Sequence, residues 1–171
     1  MNDEEIWSYL EDILGSSTCA KTHTAAAIVK NGEIISVGYN ICRPERYQYG
    51  EKISSCARAN ITTGDRYELC SPVHAEVMAC LNIRPLRDLS TIGRYAGHID
   101  LSVEEIMSAF TEKELSRLNG ASLYLRGHYW VCKRCETFAK TAGVAMIKLN
   151  KGSAEEIKSQ YMAQAITRDE Q

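Results

Sequence analysis

The chain has 171 residues, 44% of them hydrophobic and 25% charged, which is the composition of an ordinary soluble protein with one domain (residues 1–171) and one well-buried core. Twenty basic residues against twenty-two acidic ones leave a net charge of −2, so there is no general attraction to a nucleic-acid backbone and no nucleic-acid partner is expected, although a local basic patch stays open. No apolar run is long enough to span a bilayer and the acidic start, Met1 to Glu5, lacks the cationic region of a signal peptide, so the expectation is a soluble, cytoplasmic protein without a membrane partner.

In chain order, residues 4–14 read as an amphipathic helix behind Asp3 as N-cap, with Ile6, Leu10, Ile13 and Leu14 on one stripe. Thr24–Lys30 and Glu33–Tyr39 are β-rich, and the Asn31-Gly32 pair between them predicts an antiparallel hairpin. Residues 41–71 have no clean period, which in a compact domain marks a functional or stapled insertion. Ser71 and Pro72 then fit the N-cap and first position of a helix running to about Asn82. A second insertion covers 83–120. Its first part is irregular, and the pairs Ser102/Glu105 and Thr111/Glu114 predict two short helices by capping boxes. A strand at Ser122–Leu125, a helix at Cys132–Ala142, a strand at Val144–Leu149 and a last helix capped by Ser153 and Glu156 complete the chain. This order predicts an α/β fold with helices packed on a mixed sheet.

The chemistry concentrates in two short motifs. His74-Ala75-Glu76 lies at the start of one predicted helix and Cys132-Lys133-Arg134-Cys135 opens another. Two cysteines three apart share a helix face and can reach one ion. With His74 they form a Cys2His set, which leaves the fourth tetrahedral position of a zinc ion for water, as in catalytic rather than structural sites. Helix N-termini favour thiolate there. Zinc lowers the pKa of its bound water from above 15 to roughly 7–9, giving hydroxide near neutral pH. Glu76, two residues from His74, would not itself bind the ion and is placed to shuttle protons. The competing readings are a thioredoxin-like redox pair for the cysteines and a helix-dipole role for Glu76.

Seven cysteines, an odd number without a secretory signal, argue against a disulfide framework. Cys19, Cys42, Cys56 and Cys70 border or lie within connections and form a candidate second, structural metal set, with small buried hydrophobes as the alternative. Cys80 reads as core. Lys21, Arg43, Arg46, Arg126 and His128 are candidates for a substrate phosphate, although each one alone reads more readily as a solvated surface charge. Tyr129 and Trp130 are placed to stack on a base or simply to pack. Lys148, Lys151 and Lys158 read as solvent-facing.

His-x-Glu followed by Cys-x-x-Cys resembles the signature of zinc deaminases. "IVKNGEIISVGYN", Ile28–Asn40, with Cys19 just before it, resembles the opening of the deoxycytidylate deaminase branch of the cytidine and deoxycytidylate deaminase family. The resemblance covers residues 4–40, 71–82 and 121–150. It implies a three-layer cytidine-deaminase-like fold, a mixed sheet of four to five strands with helices on both faces. It also implies a homo-oligomer and zinc on His74, Cys132 and Cys135, with a possible second structural zinc near the first insertion. Glu76 would be the catalytic proton shuttle, and Asn40 and Ala75 would contact a small-molecule nucleotide, Asn40 at the sugar. The expected reaction is hydrolytic deamination of a free cytosine nucleotide, dCMP to dUMP plus ammonia. The sequence departs from the family in three places. Val131 stands where proline usually precedes the first cysteine, the loop before it is longer, and Glu76 and Cys132 are 56 positions apart. These departures keep open a deaminase of another nucleoside, base or modified nucleotide. A non-catalytic zinc scaffold is the third reading, and the intact Glu76 argues against it.

Overall fold

The computed structural model describes residues 1–42, 56–61, 66, 69–84, 89–96, 99–128 and 130–150. The fold is α/β: a four-stranded mixed sheet, order β2-β1-β3-β4, formed by β1 (Ala25–Lys30), β2 (Glu33–Tyr39), β3 (Ser122–Arg126) and β4 (Met146–Leu149). β1 pairs antiparallel with β2 and β3, and β3 pairs parallel with β4. Helices cover both faces, the arrangement that the resemblance implies. The predicted last helix, with Lys151 and Lys158, lies outside the described residues. Among the described residues no helix is long and apolar enough to cross a membrane.

Local signals fix several elements. Asn31 and Gly32 both take positive φ, 53° and 78°, as a two-residue turn matching the strand twist requires. Both capping boxes of the second insertion form, Ser102 with Glu105 and Thr111 with Glu114, starting α3 (Val103–Ser108) and α4 (Glu112–Leu118). The stretch before them, expected to be irregular, contains a 3₁₀ segment at Leu89–Tyr95. The first helix, α1 (Asp3–Ile13), begins one residue earlier than expected. Asn2 rather than Asp3 is its cap, because Asn2 reaches the Glu5 N–H at 2.9 Å while Glu5 returns the bond to Asn2 N–H at 2.8 Å.

The strand β1 is Ala-Ala-Ala-Ile-Val-Lys, and its small side chains let helices approach from both sides. Ala25, Ala27 and Val29 meet Ile6 and Leu10 of α1, with the rings of Tyr124 of β3 and Trp7 in tilted contact, 5.0 Å between centroids. Tyr124 also donates to Asp3 at 2.6 Å, and Lys148 bonds Asp3 at 2.9 Å and Tyr124 at 2.8 Å. Lys148 is thus no simple solvent-facing charge: it pins β4 to α1. The opposite face holds the main core, where Ala26, Ile28, Leu123 and Leu125 pack against α2 (Ala75–Leu81) and α5 (Lys133–Thr141).

All seven residues of α2 are buried. Its start corrects the sequence expectation: Ser71 and Pro72 are not helical. Ile41 and Val73 exchange two backbone hydrogen bonds of 3.0 Å as an isolated antiparallel bridge, which holds the chain extended up to His74. His74, at φ −74° and ψ 153°, is the cap residue instead. A non-local pairing has overridden a local capping signal.

Gly38 sets how closely α2 approaches β2. A Cβ there would lie 2.2 Å from the Ala79 nitrogen and 2.7 Å from the Ala75 oxygen, both backbone atoms of α2. Asn82 donates to the Val37 carbonyl at 2.9 Å across the same contact. Gly38→Ala therefore should destabilise the fold by ~1–3 kcal/mol or more, since overpacking against backbone has no side-chain escape. That corresponds to a fall in Tm of roughly 2–4 °C per kcal/mol for a chain of this size. An unchanged midpoint in thermal denaturation would show that α2 can retreat freely.

Candidate metal centre and catalytic cavity

Two helix starts meet at the end of the sheet where β2 and β3 finish and β1 begins. His74 caps α2 and Cys132 caps α5, both extended, with Cys132 at φ −69° and ψ 148°. A cap residue projects from the end of its helix, so both side chains point into the gap between the two elements. The Cys132 sulfur accepts the Cys135 backbone N–H at 3.3 Å, filling the capping role that an Asp or Ser oxygen usually takes. Gly127, at φ 91°, ends β3 hard against the His23 carbonyl, where any Cβ would clash, and turns the chain toward Cys132.

His74 Nδ1 lies 3.2 Å from Cys135 Sγ and 3.5 Å from Cys132 Sγ, and the two sulfurs are 2.9 Å apart. Among the described residues this is the one His/Cys/Asp/Glu group whose ligand atoms all fall within 4.8 Å of each other, so these three residues could hold a metal ion. The donors suit zinc: one imidazole and two thiols, borderline to soft. Their electrostatics also fit. The hydrogen bond from Cys135 and the neighbouring His74 draw the Cys132 thiol down to about 4, so it is a thiolate at neutral pH. That thiolate and burial push Cys135 up. Burial lowers His74, but its bond to Cys132 and the charge of Glu76 outweigh it and leave the imidazole raised.

Glu76, only 5% exposed, sits two residues after His74 and lines the same cavity without belonging to the ligand group. Burial raises its carboxyl above the usual range, partly offset by His74. Such a group exchanges a proton more readily near neutral pH than a surface glutamate does. The cavity measures about 180 Å³ and opens onto Cys19, Lys21, Thr22, Asn40, Arg58, Leu125, His128 and Trp130 beside the metal centre.

The structure sorts the sequence candidates. Asn40 is at the cavity, buried, with its amide engaged by the chain: Thr24 N–H donates to Oδ1 at 3.0 Å and Nδ2 donates to the Thr22 carbonyl at 2.8 Å. It thereby shapes the loop ahead of β1 as well as facing the cavity. Ala75 is fully buried in the first turn of α2 and is not part of the described lining. Lys21 lines the cavity, but its ammonium donates to the carbonyls of Arg58, at 3.0 Å, and Ile61. His128 and Trp130 are both in the wall, their rings edge-on at 4.2 Å. Burial holds His128 below the ordinary imidazole range, so it is neutral near pH 7 and supplies no charge for a phosphate. Arg126 lies on the other side of the sheet, two residues along from Tyr124, paired with Glu11 of α1 at 2.6 Å. Strand alternation carries it away from the cavity that Leu125 faces. Arg43, Arg46 and Tyr129 lie outside the described residues.

The seven cysteines are free thiols. Cys80 is core, fully buried and pushed up to about 12 by that burial. The second candidate metal set is only partly assembled. Cys42 hydrogen-bonds with both Cys19 and Cys70, and Cys56 lies near the Lys21 ammonium. Yet no three of the four bring their sulfurs within 4.8 Å of one another. The bond to Cys42 draws Cys19 down to about 5 and pushes Cys42 up, as expected for thiols sharing a proton.

Arg58 is the charged cavity residue that sequence reasoning missed, and Thr22, Thr24, Pro72 and Leu125 of the lining were not singled out either. Arg58 falls in the aperiodic insertion, where no spacing marks one arginine above another. The sequence matches no protein-family model and no curated protein.

Proposed function

We propose that this protein is a zinc-dependent hydrolytic deaminase of a free cytosine nucleotide, with dCMP as substrate and dUMP and ammonia as products. One observation carries the reading: a buried, non-ligating carboxylate, Glu76, shares a small cavity with a compact His/Cys/Cys set. Structural zinc sites are closed by a fourth protein ligand and have no use for an acid beside them.

His74, Cys132 and Cys135 would hold the ion, which when bound supplies Lewis acidity and makes a water nucleophilic at neutral pH. The chain's own residues do the rest. Glu76 takes one proton from the water and delivers it to the ring nitrogen, then takes the second from the hydroxyl newly added to the ring carbon and delivers it to the departing amine, as that hydroxyl becomes the carbonyl and the carbon–nitrogen bond breaks. Water and the cytosine amine are consumed, and the uracil carbonyl and ammonia are formed. Leu125, buried, and Trp130, half-buried, supply apolar wall for a planar ring. A cavity of about 180 Å³ is smaller than the ~300–1,000 Å³ usual for drug-sized ligands, which suits a single-ring base.

The test is ammonia release by zinc-loaded protein from dCMP, CMP, deoxycytidine, cytidine and cytosine. The expected result is turnover of the panel with the highest kcat/KM on dCMP. No ammonia from any of these compounds, with zinc bound, would overturn the proposal.

A further inference from the structure

We infer that a second cleft, between α5 and the second insertion, binds a flat apolar molecule with one negative group, an aromatic carboxylate or sulfonate, and that its occupation steadies the metal centre. The inference uses the His74, Cys132 and Cys135 set but not the deaminase reaction. The cleft measures about 360 Å³, against about 180 Å³ for the catalytic cavity, and the two share no lining residue. That volume falls within the ~300–1,000 Å³ of small-molecule sites, whereas packing voids inside a domain seldom exceed a water molecule. The apolar lining is Val77 of α2, Phe138 of α5, and Tyr95, Ile99, Leu101 and Ile106 of the insertion. Tyr95, Ile99 and Leu101 stay only half-buried, so they leave apolar surface gathered at one opening. Gathered surface of this kind marks a binding site, which scattered exposed side chains do not.

Rings and charge define the occupant. Phe138 meets Tyr95 edge-on at 5.9 Å between centroids, and a lining that carries aromatic rings suits a flat aromatic body by offset or edge-to-face contact. Arg134 and Asp100 pair at 2.9 Å, which joins α5 to the insertion and balances both charges. Lys133, the first residue of α5, also lines the cleft and makes no ion pair among the described residues. The lining therefore holds one uncompensated cation, which favours an anion over a cation or a neutral analogue. A single ammonium in an apolar setting does not suit a polyphosphate. A molecule seated there touches Val77 of α2 and Cys135 and Phe138 of α5 together. These are the two helices whose cap residues, His74 and Cys132, carry metal donors, and α5 is the less buried of them. Bridging them opposes the local opening of α5 that would free an ion. Linkage makes the effect mutual: a bound ion tightens the ligand by the factor by which the ligand tightens the ion.

The experiment titrates zinc-loaded wild type, Thr137→Trp and Lys133→Gln with anilinonaphthalenesulfonate and with its uncharged parent, phenylnaphthylamine, by fluorescence. It then measures zinc transfer to a chelator with and without the sulfonate. Wild type should bind the sulfonate saturably and in preference to the parent. Thr137 is exposed in the cleft wall, so tryptophan there fills the opening without entering the core, and it should abolish saturable binding at an unchanged melting temperature. Lys133→Gln should cut the preference for the sulfonate roughly threefold, the size of one exposed charge contact. Saturating sulfonate should slow zinc transfer from wild type by about fivefold or more, and leave Thr137→Trp unmoved. No saturable binding, binding that survives Thr137→Trp, or a transfer rate indifferent to the bound sulfonate overturns the inference. So does a dimer in sedimentation that Thr137→Trp dissociates, which would give the cleft to a second copy of the chain. Should the protein bind no zinc, the metal reading fails and the titration decides the cleft: binding lost in Thr137→Trp supports the anion site, and binding kept there overturns it.

Discussion

Glu76→Gln is expected to fold, to keep its zinc, and to lose roughly 10²–10⁴ in kcat, the range by which a positioned general acid–base group contributes. The isosteric amide keeps the shape of a side chain that is only 5% exposed, so no cavity opens in α2. It also removes a carboxyl whose burial opposes its ionisation, so stability should hold or rise. What the amide cannot do is accept a proton and give it back. Because one group serves both the attacking water and the leaving amine, the loss should approach the upper end of the range and fall on kcat rather than on KM. The check is steady-state kinetics beside metal analysis and thermal melting of the same preparation. Turnover within a few-fold of wild type at full zinc content would move the proton transfer to another residue.

The second large effect concerns the ligand set. Wild-type protein purified without chelator should carry about one zinc bound by this group, and Cys135→Ala or Cys132→Ala should carry almost none. Each removes one of only three protein donors, and second-sphere changes alone typically weaken metal sites by ~10–100-fold. Cys135 is the more informative position. Its side chain is buried beside both His74 and Cys132, so alanine leaves the helix intact and removes only the sulfur. A ligand that binds only the folded state stabilises it by about 2.7 kcal/mol at a hundredfold excess over Kd. Chelator should therefore lower the Tm of wild type and leave Cys135→Ala nearly unmoved. Equal zinc content in wild type and variant, by elemental analysis, would dismiss these residues as the metal site.

Much of this molecule was legible in sequence wherever a short stretch determines its own structure. The Asn31-Gly32 turn, the two capping boxes and the Cys-x-x-Cys at a helix start are all decided within a few residues, and all form as predicted. His74 and Cys132 were legible for a different reason: their residue types and short spacings to Glu76 and Cys135 mark them, although the helix boundary at His74 was misread. The misreadings share the opposite cause. Helix α2 starts at Ala75 because Val73 is paired with Ile41, thirty-two positions back. Lys148 bonds to Asp3 at the far end of the chain, and Arg58 reaches the cavity through a contact with Lys21. Arg126 is different. Tyr124 and Arg126 must share a strand face, and the amphipathic stripe of α1 needed an aromatic partner, so its place was recoverable from alternation.

The two halves of the metal centre stand on unequal foundations. Every residue of the helix that His74 caps is buried, whereas the helix that Cys132 caps buries only Cys135, Phe138 and Ala139 among its nine. Local opening draws on elements with few buried contacts, while a fully enclosed helix separates from the sheet only when the whole domain comes apart. Release of a bound ion would therefore be expected to begin on the thiolate side, with the imidazole and Glu76 still in place, and recapture would need only the return of one short helix.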